Sequence, residues 1–307
     1  MNEYFIITVD TEGDNQWNIY KGEDIKTKNA NYVPRFQELC ECFGFKPTYL
    51  VNFEMANNDF LMSYLKNKQE NGLCEVGTHL HAWNSPPDYK LDRKYNGNPY
   101  ITEYPRDVIF KKLSFMTNLL EEKTGVRPVV HRAGRWATDS TIFDILSELG
   151  YKVDCSVVSG CDMLKLPGET TPYGFDYRNQ PNKPFFVRHG LLEIPMSVKH
   201  IRTFAGKSIK NSIKNAICGK DLWFRPALCT VKEMKKHLDE RNLIGLDYAE
   251  FMIHSSELMP GGSPYFKDTH SIEKEYDVIK EVFEYAVENG FQGVTMSEYA
   301  NKYLHEK

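Results

Sequence analysis

The run YFIITVD, Tyr4–Asp10, is apolar from its first residue until it ends in a carboxylate. Its short length and its aromatic and β-branched residues favour a buried strand. A carboxylate at the end of a buried strand is costly without a partner. We therefore interpret Asp10 as a functional residue, the alternative being an aspartate that caps a helix or tethers a loop.

Further short apolar runs alternate with longer amphipathic runs along the chain. Predicted strands after the first cover 47–52, 73–81, 127–134, 151–158, 191–198, 248–256 and 291–296. Predicted helices cover 32–44, 58–72, 106–125, 140–150, 207–216, 230–242 and 271–290. Glycines at 44, 72, 125 and 150 stand at four helix ends, as C-cap glycines do.

Strand–helix alternation on this scale indicates a parallel sheet, and about seven or eight units favour a closed barrel over an open doubly wound sheet. No G-x-G-x-x-G follows the first strand, which counts against a dinucleotide-binding fold. The predicted fold is α/β, a distorted (β/α)7–8 barrel in a single domain covering residues 1–307. This domain carries a predicted loop insertion at about 160–190 and a basic segment at about 199–220.

The composition is that of a globular protein, with 41% hydrophobic and 26% charged residues. A net charge of −4 gives no global signal for nucleic acid, so no nucleic-acid partner is predicted. Aromatic residues make up 13%, which suits sugar stacking but is better explained by a well-packed core. The N-terminus shows no secretory signal, and no run approaches the ~18 apolar residues of a membrane span. Seven scattered cysteines fit free thiols, so a reducing, cytoplasmic location is predicted.

Polar and ionisable residues end or follow most of the predicted strands. In a barrel of this kind, chemistry lies at the C-terminal ends of the strands. One such residue would be commonplace, because strand ends meet water, but a whole set around one rim indicates a site. The set comprises Asp10, Glu12, His79, His81, His131, Arg132, Asp154, Glu193 and His254.

Four short motifs within this set are similar to those of the polysaccharide deacetylases, the NodB homology domain of carbohydrate esterase family four. They are TVDTEGD after the first strand, EVGTHLHAW after the third, HRAGRWA after the next, and EFMIHSSEL near the end of the chain. Their order and spacing cover nearly the whole chain, from Tyr4 to Leu258. The resemblance supports the barrel prediction and implies hydrolysis of an amide.

The resemblance also implies roles for individual residues. Asp10 would be the general base, held ionised by a bidentate pair with Arg132, and His254 would be the general acid. The substrate-binding candidates are Trp83, Trp136 and Asp154. Asp154 is also expected to orient His254 or Arg132.

The metal site is where the chain departs from the family pattern. The usual adjacent aspartate pair is replaced by Asp10 and Glu12, and Trp83 occupies the position of the usual second histidine. His79 and His81 are two apart, so both rings point to the same side of a strand. With Glu12 they form a predicted site for one divalent ion, expected to be zinc; the alternative is a pair of hydrogen-bonded rim histidines. Two reserve ligands are Asp14 and His131.

The mechanism implied is metal-assisted removal of an N-acetyl group, which yields acetate and a free amino sugar. The substrate would be an N-acetylated sugar or glycan, and a lipid-linked phosphosugar is one candidate. Two alternatives stay open. One is hydrolysis of another non-peptide C–N bond, and the other is a catalytically inactive barrel that binds a glycan.

The basic segment at about 199–220 permits two interpretations. Within GKSIKNSIKNAICGK, Ile209, Ile213 and Ile217 recur every four residues, so a helix places them along one face. Such a helix, with lysines on its other faces, can lie on an anionic membrane surface. The favoured interpretation is a barrel helix that packs its isoleucines inward and leaves its lysines in solvent.

Overall fold

The computed structural model describes residues 3–14, 16–18, 25–202, 209–241 and 245–305. Its strands are β1 (Tyr4–Thr11), β2 (Thr48–Val51), β3 (Glu75–Leu80), β4 (Val130–Ala133), β5 (Val153–Asp154), β6 (Phe185–Arg188), β7 (Leu191–Glu193), β8 (Val198–Ile201), β9 (Lys220–Trp223), β10 (Tyr248–His254) and β11 (Gln292–Val294). Its α-helices are α1 (Val33–Cys42), α2 (Phe53–Ala56), α3 (Asp59–Glu70), α4 (Arg106–Thr124), α5 (Ser140–Glu148), α6 (Ile209–Cys218), α7 (Val231–Glu240), α8 (Thr269–Glu288) and α9 (Met296–His305). The alternation of strands and helices confirms the predicted α/β class.

Nine strands form one sheet in the order β10-β1-β2-β3-β4-β5-β7-β6, with β11 also paired to β1. All neighbours are parallel except β6, which runs antiparallel to β7. The sheet curls into a half-barrel, and no ladder joins β6 to β10 in the described ranges. Instead, the Tyr248 hydroxyl on β10 donates to the Pro195 carbonyl at 2.6 Å, and the Glu250 N–H donates to Ser197 Oγ at 3.0 Å. The predicted distorted barrel is confirmed, but it is open on this side.

Alternation along β1 separates the two faces of the sheet. Phe5 and Ile7 belong to the large core that lies between the sheet and its covering helices. Tyr4 and Ile6 belong to a smaller cluster that includes residues of α9. Because side chains alternate across a strand, Asp10 continues the face of Tyr4 and Ile6. The face of the sheet that carries Tyr4, Ile6 and Asp10 is therefore apolar near the start of β1. At the carboxyl end of β1 it carries an ionisable side chain.

Several elements were not predicted from the sequence. β6 falls inside the predicted loop insertion, whose other described residues are irregular apart from one bridge between Asp162 and Asp176. α9 follows the last strand and packs against β1. β8 and β9 pair antiparallel in a separate two-stranded sheet, with α6 between them. We call residues 198–223 the arm; its residues 203–208, which include the start of the predicted helix 207–216, lie outside the described chain.

Two further observations bear on the sequence predictions. All seven cysteines are free thiols, as predicted. None of the described helices combines the length and the apolarity needed to cross a membrane.

Candidate active site and metal centre

Adjacent parallel strands bring the main predicted site residues to one edge of the sheet. In the register, Asp10 on β1 lies beside His254 on β10, and His79 on β3 lies beside Arg132 on β4. Glu12 directly follows β1 and is buried. Since the strands run in the same direction, all of these residues lie at the carboxyl edge, where a barrel carries its chemistry.

Arg132 links two carboxylates in the interior of the half-barrel. Its side chain is fully buried, Nη1 donates to Asp10 Oδ1 at 2.7 Å, and Nη2 donates to Glu250. The expected bidentate pair with Asp10 is wrong, because the two arms of the guanidinium serve different carboxylates. Burial alone would raise the pKa of Asp10, but Arg132 and His79 hold it below its usual value. Asp10 is therefore a buried carboxylate whose negative charge is stabilised by neighbouring cationic groups rather than by water.

Glu12, His79 and His81 form a compact cluster of metal-ligating side chains. Their candidate ligand atoms all lie within 4.8 Å of one another, and all three side chains are buried. His79 Nε2 and His81 Nε2 are 3.1 Å apart. Glu12 Oε2 lies 3.2 Å from His81 Nε2 and 3.7 Å from His79 Nε2. Burial alone would raise the pKa of Glu12, but His254 and the two cluster histidines lower it below its usual value. The cluster therefore offers one carboxylate and two imidazoles to a single point.

The two imidazoles are oriented by their neighbours. His79 Nδ1 lies 3.0 Å from the Arg132 carbonyl, which can only accept, so Nδ1 carries the proton and Nε2 is left as a lone pair in the neutral ring. His81 stacks on Trp83 with ring centroids 4.4 Å apart. Gly134 packs against the same ring, since an added Cβ would lie 2.2 Å from His81 Cδ2. Trp83 stands where the family motif has its second histidine. Its ring packs against the candidate ligand His81.

His254 faces the cluster from β10 and is held by Arg225 and Glu257. Arg225 Nη2 lies 2.9 Å from His254 Nδ1, and it also donates to Glu257 Oε1 at 2.8 Å. An arginine can only donate, so Nδ1 accepts and the neutral ring carries its proton on Nε2. That Nε2 lies 3.8 Å from Glu12 Oε1 and 4.0 Å from Asp10 Oδ2. His254 therefore presents an N–H to the centre of the site.

Arg225 and Glu257 were not singled out from the sequence. Glu257 lies within the quoted motif around His254, and its own carboxylate accepts the His254 backbone N–H at 2.9 Å. Arg225 follows β9, a strand without a clear apolar pattern. Only the fold brings it to a histidine 29 residues away.

The site lines a cavity of about 490 Å³. Its aromatic walls are Trp17, Trp83 and Trp136, and its amide groups belong to Gln16, Asn96 and Asn98. Arg135 and Trp136 also line it, and their φ angles of 57° and 60° lie in the left-handed region that L-residues seldom occupy. Two of the three substrate-binding predictions, Trp83 and Trp136, thus fall on the cavity wall.

The third candidate, Asp154, lies away from the cavity. It is fully buried and accepts hydrogen bonds from His131 Nδ1 at 2.7 Å and Ser156 Oγ at 2.8 Å. The register gives the reason: Asp154 pairs with His131, one residue before the level of His79 and Arg132. Asp154 therefore orients His131 rather than His254 or Arg132. Since His131 is one of the two reserve ligands, its Nδ1 is occupied by this hydrogen bond.

The other reserve ligand, Asp14, and the rim candidate Glu193 also serve local structure. Asp14 accepts the backbone N–H groups of residues 28 and 29 in the loop after β1. Glu193 is fully buried and accepts the Val157 N–H at 2.9 Å. Neither lines the cavity.

The comparison with protein-family models finds no match, and the comparison with curated proteins finds none either. Solved structures do match. One from Mycobacterium smegmatis, assigned as a polysaccharide deacetylase, has a TM-score of 0.56 and 15% identity over 98% of this chain and 91% of that chain. This chain has the polysaccharide deacetylase fold. This is the fold that the resemblance implied.

The polysaccharide deacetylase fold of this chain is also shared with other enzymes. A GH57-type branching enzyme from Thermococcus kodakaraensis has a TM-score of 0.57 and 13% identity, covering 99% of this chain and 72% of that chain. A 4-alpha-glucanotransferase from Thermococcus litoralis has a TM-score of 0.56 and 14% identity, covering 98% and 40%. The fold alone therefore does not select a reaction, and the site residues must be considered separately.

Proposed function

We propose that the protein is a metal-dependent hydrolase that removes N-acetyl groups from a sugar or glycan. The observation that supports this most is that two sets of residues share one cavity. The first set is the ligand cluster Glu12, His79 and His81, and the second is the pair Asp10 and His254. An ionised base and an imidazole N–H beside a metal cluster are the groups that amide hydrolysis requires.

The donor set of the cluster fits a divalent metal. Two imidazole nitrogens and one carboxylate oxygen are typical of open catalytic zinc sites, which keep a position for water or substrate. His79 donates its other ring N–H to a backbone carbonyl, as metal-ligating histidines commonly do. We therefore assign Glu12, His79 and His81 as ligands of one zinc ion. When bound, such an ion polarises an amide carbonyl and lowers the pKa of a bound water.

The protein's own residues account for the proton transfers. Asp10, held by Arg132, accepts a proton from the attacking water as the water oxygen bonds to the carbonyl carbon. His254 gives its Nε2 proton to the amine nitrogen as the C–N bond breaks, and the proton held by Asp10 replaces it on Nε2 in the same step, so the ring stays neutral. The products are acetic acid, which ionises to acetate, and a free amine, and Asp10 and His254 both return to their starting protonation states.

The cavity walls support a saccharide as the amine component. Trp17, Trp83 and Trp136 offer apolar ring faces, on which a pyranose can stack. The amides of Gln16 and Asn98 offer both donors and acceptors for hydroxyl groups. A cavity of about 490 Å³ is large enough for a small ligand rather than a folded protein.

The test is an assay of acetate release by purified protein, stripped with a chelator and reloaded with zinc, manganese, nickel or cobalt. Substrates are N-acetylated sugars and oligosaccharides, together with N-formyl sugars and simple amides. We expect acetate and amine in equal amounts only with metal, and a rate roughly 100-fold lower for Asp10→Asn. Asp162→Asn, at an exposed carboxylate away from the cavity, is the matched control.

The outcomes separate the possible functions. Cleavage of only a different amide would favour another C–N bond, and sugar binding without turnover in fully loaded protein would favour an inactive barrel. Wild-type acetate release by Asp10→Asn would remove the proposed base.

A further inference from the structure

Helix α6 is oriented with its apolar residues toward solvent. Ile209, Ile213 and Ile217 are 78%, 47% and 66% exposed, whereas the polar Ser212 is only 8% exposed. The favoured sequence interpretation, in which the isoleucines pack inward, is therefore wrong. At 100° per residue, the three isoleucines fall within an arc of about 80° on one face of the helix. Isolated surface leucines and isoleucines are ordinary, but an aligned set on one helix marks an interaction surface.

Lysines flank this isoleucine face. Lys210 and Lys214 are exposed and follow two of the isoleucines directly, so they lie at the edge of the same face. No salt bridge joins either lysine to a carboxylate of the described chain. From Ile194 to Lys220 the sequence contains no acidic residue. The face is thus apolar in its middle and cationic along one border.

The two strands of the arm are attached to the rest of the protein. At its base, Lys199 pairs with Glu240, and Lys220 pairs with Glu233 at 2.7 Å. Lys199 and Lys220 belong to the basic segment predicted from the sequence, and glutamates of α7 neutralise their charges. The Trp223 ring at the end of β9 packs edge-on against Trp136 of the cavity, with centroids 5.3 Å apart. The arm is consequently continuous with the rim of the site.

We propose that α6 docks the protein on the surface of an anionic lipid bilayer. Isoleucines bordered by lysines match the apolar and anionic layers of a membrane interface, in which an amphipathic helix lies flat. A second copy of the chain fits less well, because a symmetric contact would bring the lysines of both copies together. The face is also small: a ten-residue helix is only about 15 Å long, and a stable protein interface buries ~800 Å² on each partner. The docking does not depend on the proposed hydrolysis.

The test is co-sedimentation of the full chain with vesicles of phosphatidylcholine, with and without phosphatidylserine. We expect binding only to vesicles with phosphatidylserine and at low salt, because added salt screens the lysines. Replacing Ile209, Ile213 and Ile217 together by serine should lower the bound-to-free ratio at least about tenfold. Lys210→Gln with Lys214→Gln should lower it roughly tenfold as well. These side chains are exposed, so the variants should fold, which circular dichroism checks.

Matched controls change exposed residues elsewhere in the molecule. Phe60, Val126 and Val287, which are 52%, 51% and 45% exposed, are replaced by serine as the apolar control. Lys152→Gln with Lys274→Gln is the charge control. Both should bind vesicles like the wild type.

Four outcomes would overturn the proposal. They are no vesicle binding by the wild type, equal binding to neutral vesicles, equal loss in test and control variants, and an isoleucine-dependent dimer seen by light scattering. The last outcome would assign the face to a second copy of the chain. None of them involves catalysis, so this test can fail while the assay for acetate release succeeds.

Discussion

The buried side chain of Arg132 connects Asp10 in the candidate site to the packing of the sheet. It is fully buried, and its guanidinium donates to Asp10 on β1 and to Glu250 on β10. Nε donates to the Cys155 carbonyl at 3.0 Å, and Nη1 also donates to Thr8 Oγ1 at 3.1 Å. One buried cation therefore pairs with two buried carboxylates at once. Only a planar group with several donors in fixed directions can serve both.

We expect Arg132→Lys to lower the free energy of unfolding by roughly 3 kcal/mol, because an ammonium on a flexible stem cannot bridge both carboxylates and leaves one buried charge without its partner. Urea denaturation measures the change. Arg127→Lys is the matched control, since that arginine is about 41% exposed and pairs with Glu121 at the surface, where a pair contributes only about 0–1 kcal/mol. Equal losses in the two variants would show that the buried network contributes little.

At the scale of single elements, β3 and the residue that follows it carry the two histidines of the candidate ligand cluster. The strand ends at Leu80, yet His81 still lies on the same side as His79, with ring centroids 4.8 Å apart. The two-residue spacing is therefore enough to bring both imidazoles together. The carboxylate of Glu12 comes from the residue directly after β1, a strand two positions away from β3 in the sheet.

We expect His79→Ala to lose stoichiometric zinc and His81→Ala to weaken zinc binding, since each removes one of three protein ligands. Metal analysis after dialysis against a weak chelator, with titration of the stripped protein, measures both effects. His270→Ala, which removes an exposed histidine near the start of α8, is the control and should retain the metal. If wild-type protein bound no zinc, manganese, nickel or cobalt, or if both variants bound like the control, the ligand assignment would be wrong.

For the whole molecule, buried carboxyl groups make stability depend on pH in two directions. Burial, helped by nearby Glu257, raises the pKa of Glu275 on α8 to about 10. Burial and the neighbouring Asp154 raise the pKa of Glu193 well above its usual value. Burial alone would also raise the pKa of Glu257, but Arg225 lowers it below its usual value. A raised pKa favours the folded state at low pH, and a lowered pKa favours it at high pH.

Glu275→Gln should stabilise the protein at alkaline pH. The folded pKa of about 10 exceeds the unfolded value of ~4.3, so the contribution of Glu275 is complete below pH ~4 and is lost as the pH rises toward 10. Glutamine has the same size and does not titrate. The free energy of unfolding of the variant should therefore exceed that of the wild type by roughly 2–5 kcal/mol at pH 8, and the difference should fall to roughly 1 kcal/mol at pH 5 and toward zero near pH ~4.

Urea denaturation at several pH values measures this difference. Glu288→Gln, at the exposed end of the same helix, should show almost no pH-dependent difference. A difference for Glu275→Gln that stayed constant from pH 5 to 8 would show that the carboxyl group is ionised in the folded protein.

The sequence by itself determined most strands and helices of the main sheet, its parallel character, and the placement of Asp10, His79, His81 and His254 at strand ends. These follow from local patterns: strand and helix periods act over a few residues, and parallel strands place their carboxyl ends at one edge. The assigned roles of these residues stay predictions. That their side chains lie near one another could be expected from the sequence, because each lies at the end of a strand of one parallel sheet.

Only the tertiary structure decided which strand-end residues reach the cavity, and with which partners. Asp154 ends its strand one level before the rim, Arg225 reaches His254 from just after β9, a strand that was not predicted, and Arg132 divides its donors between two carboxylates. The face of α6 that is turned outward was likewise fixed by the arm, against the favoured interpretation of its isoleucines. The physical reason is common to all four cases. Register, burial and ion pairing join residues far apart in sequence, and the free energy that selects them is a sum over the whole fold rather than a property of any short segment.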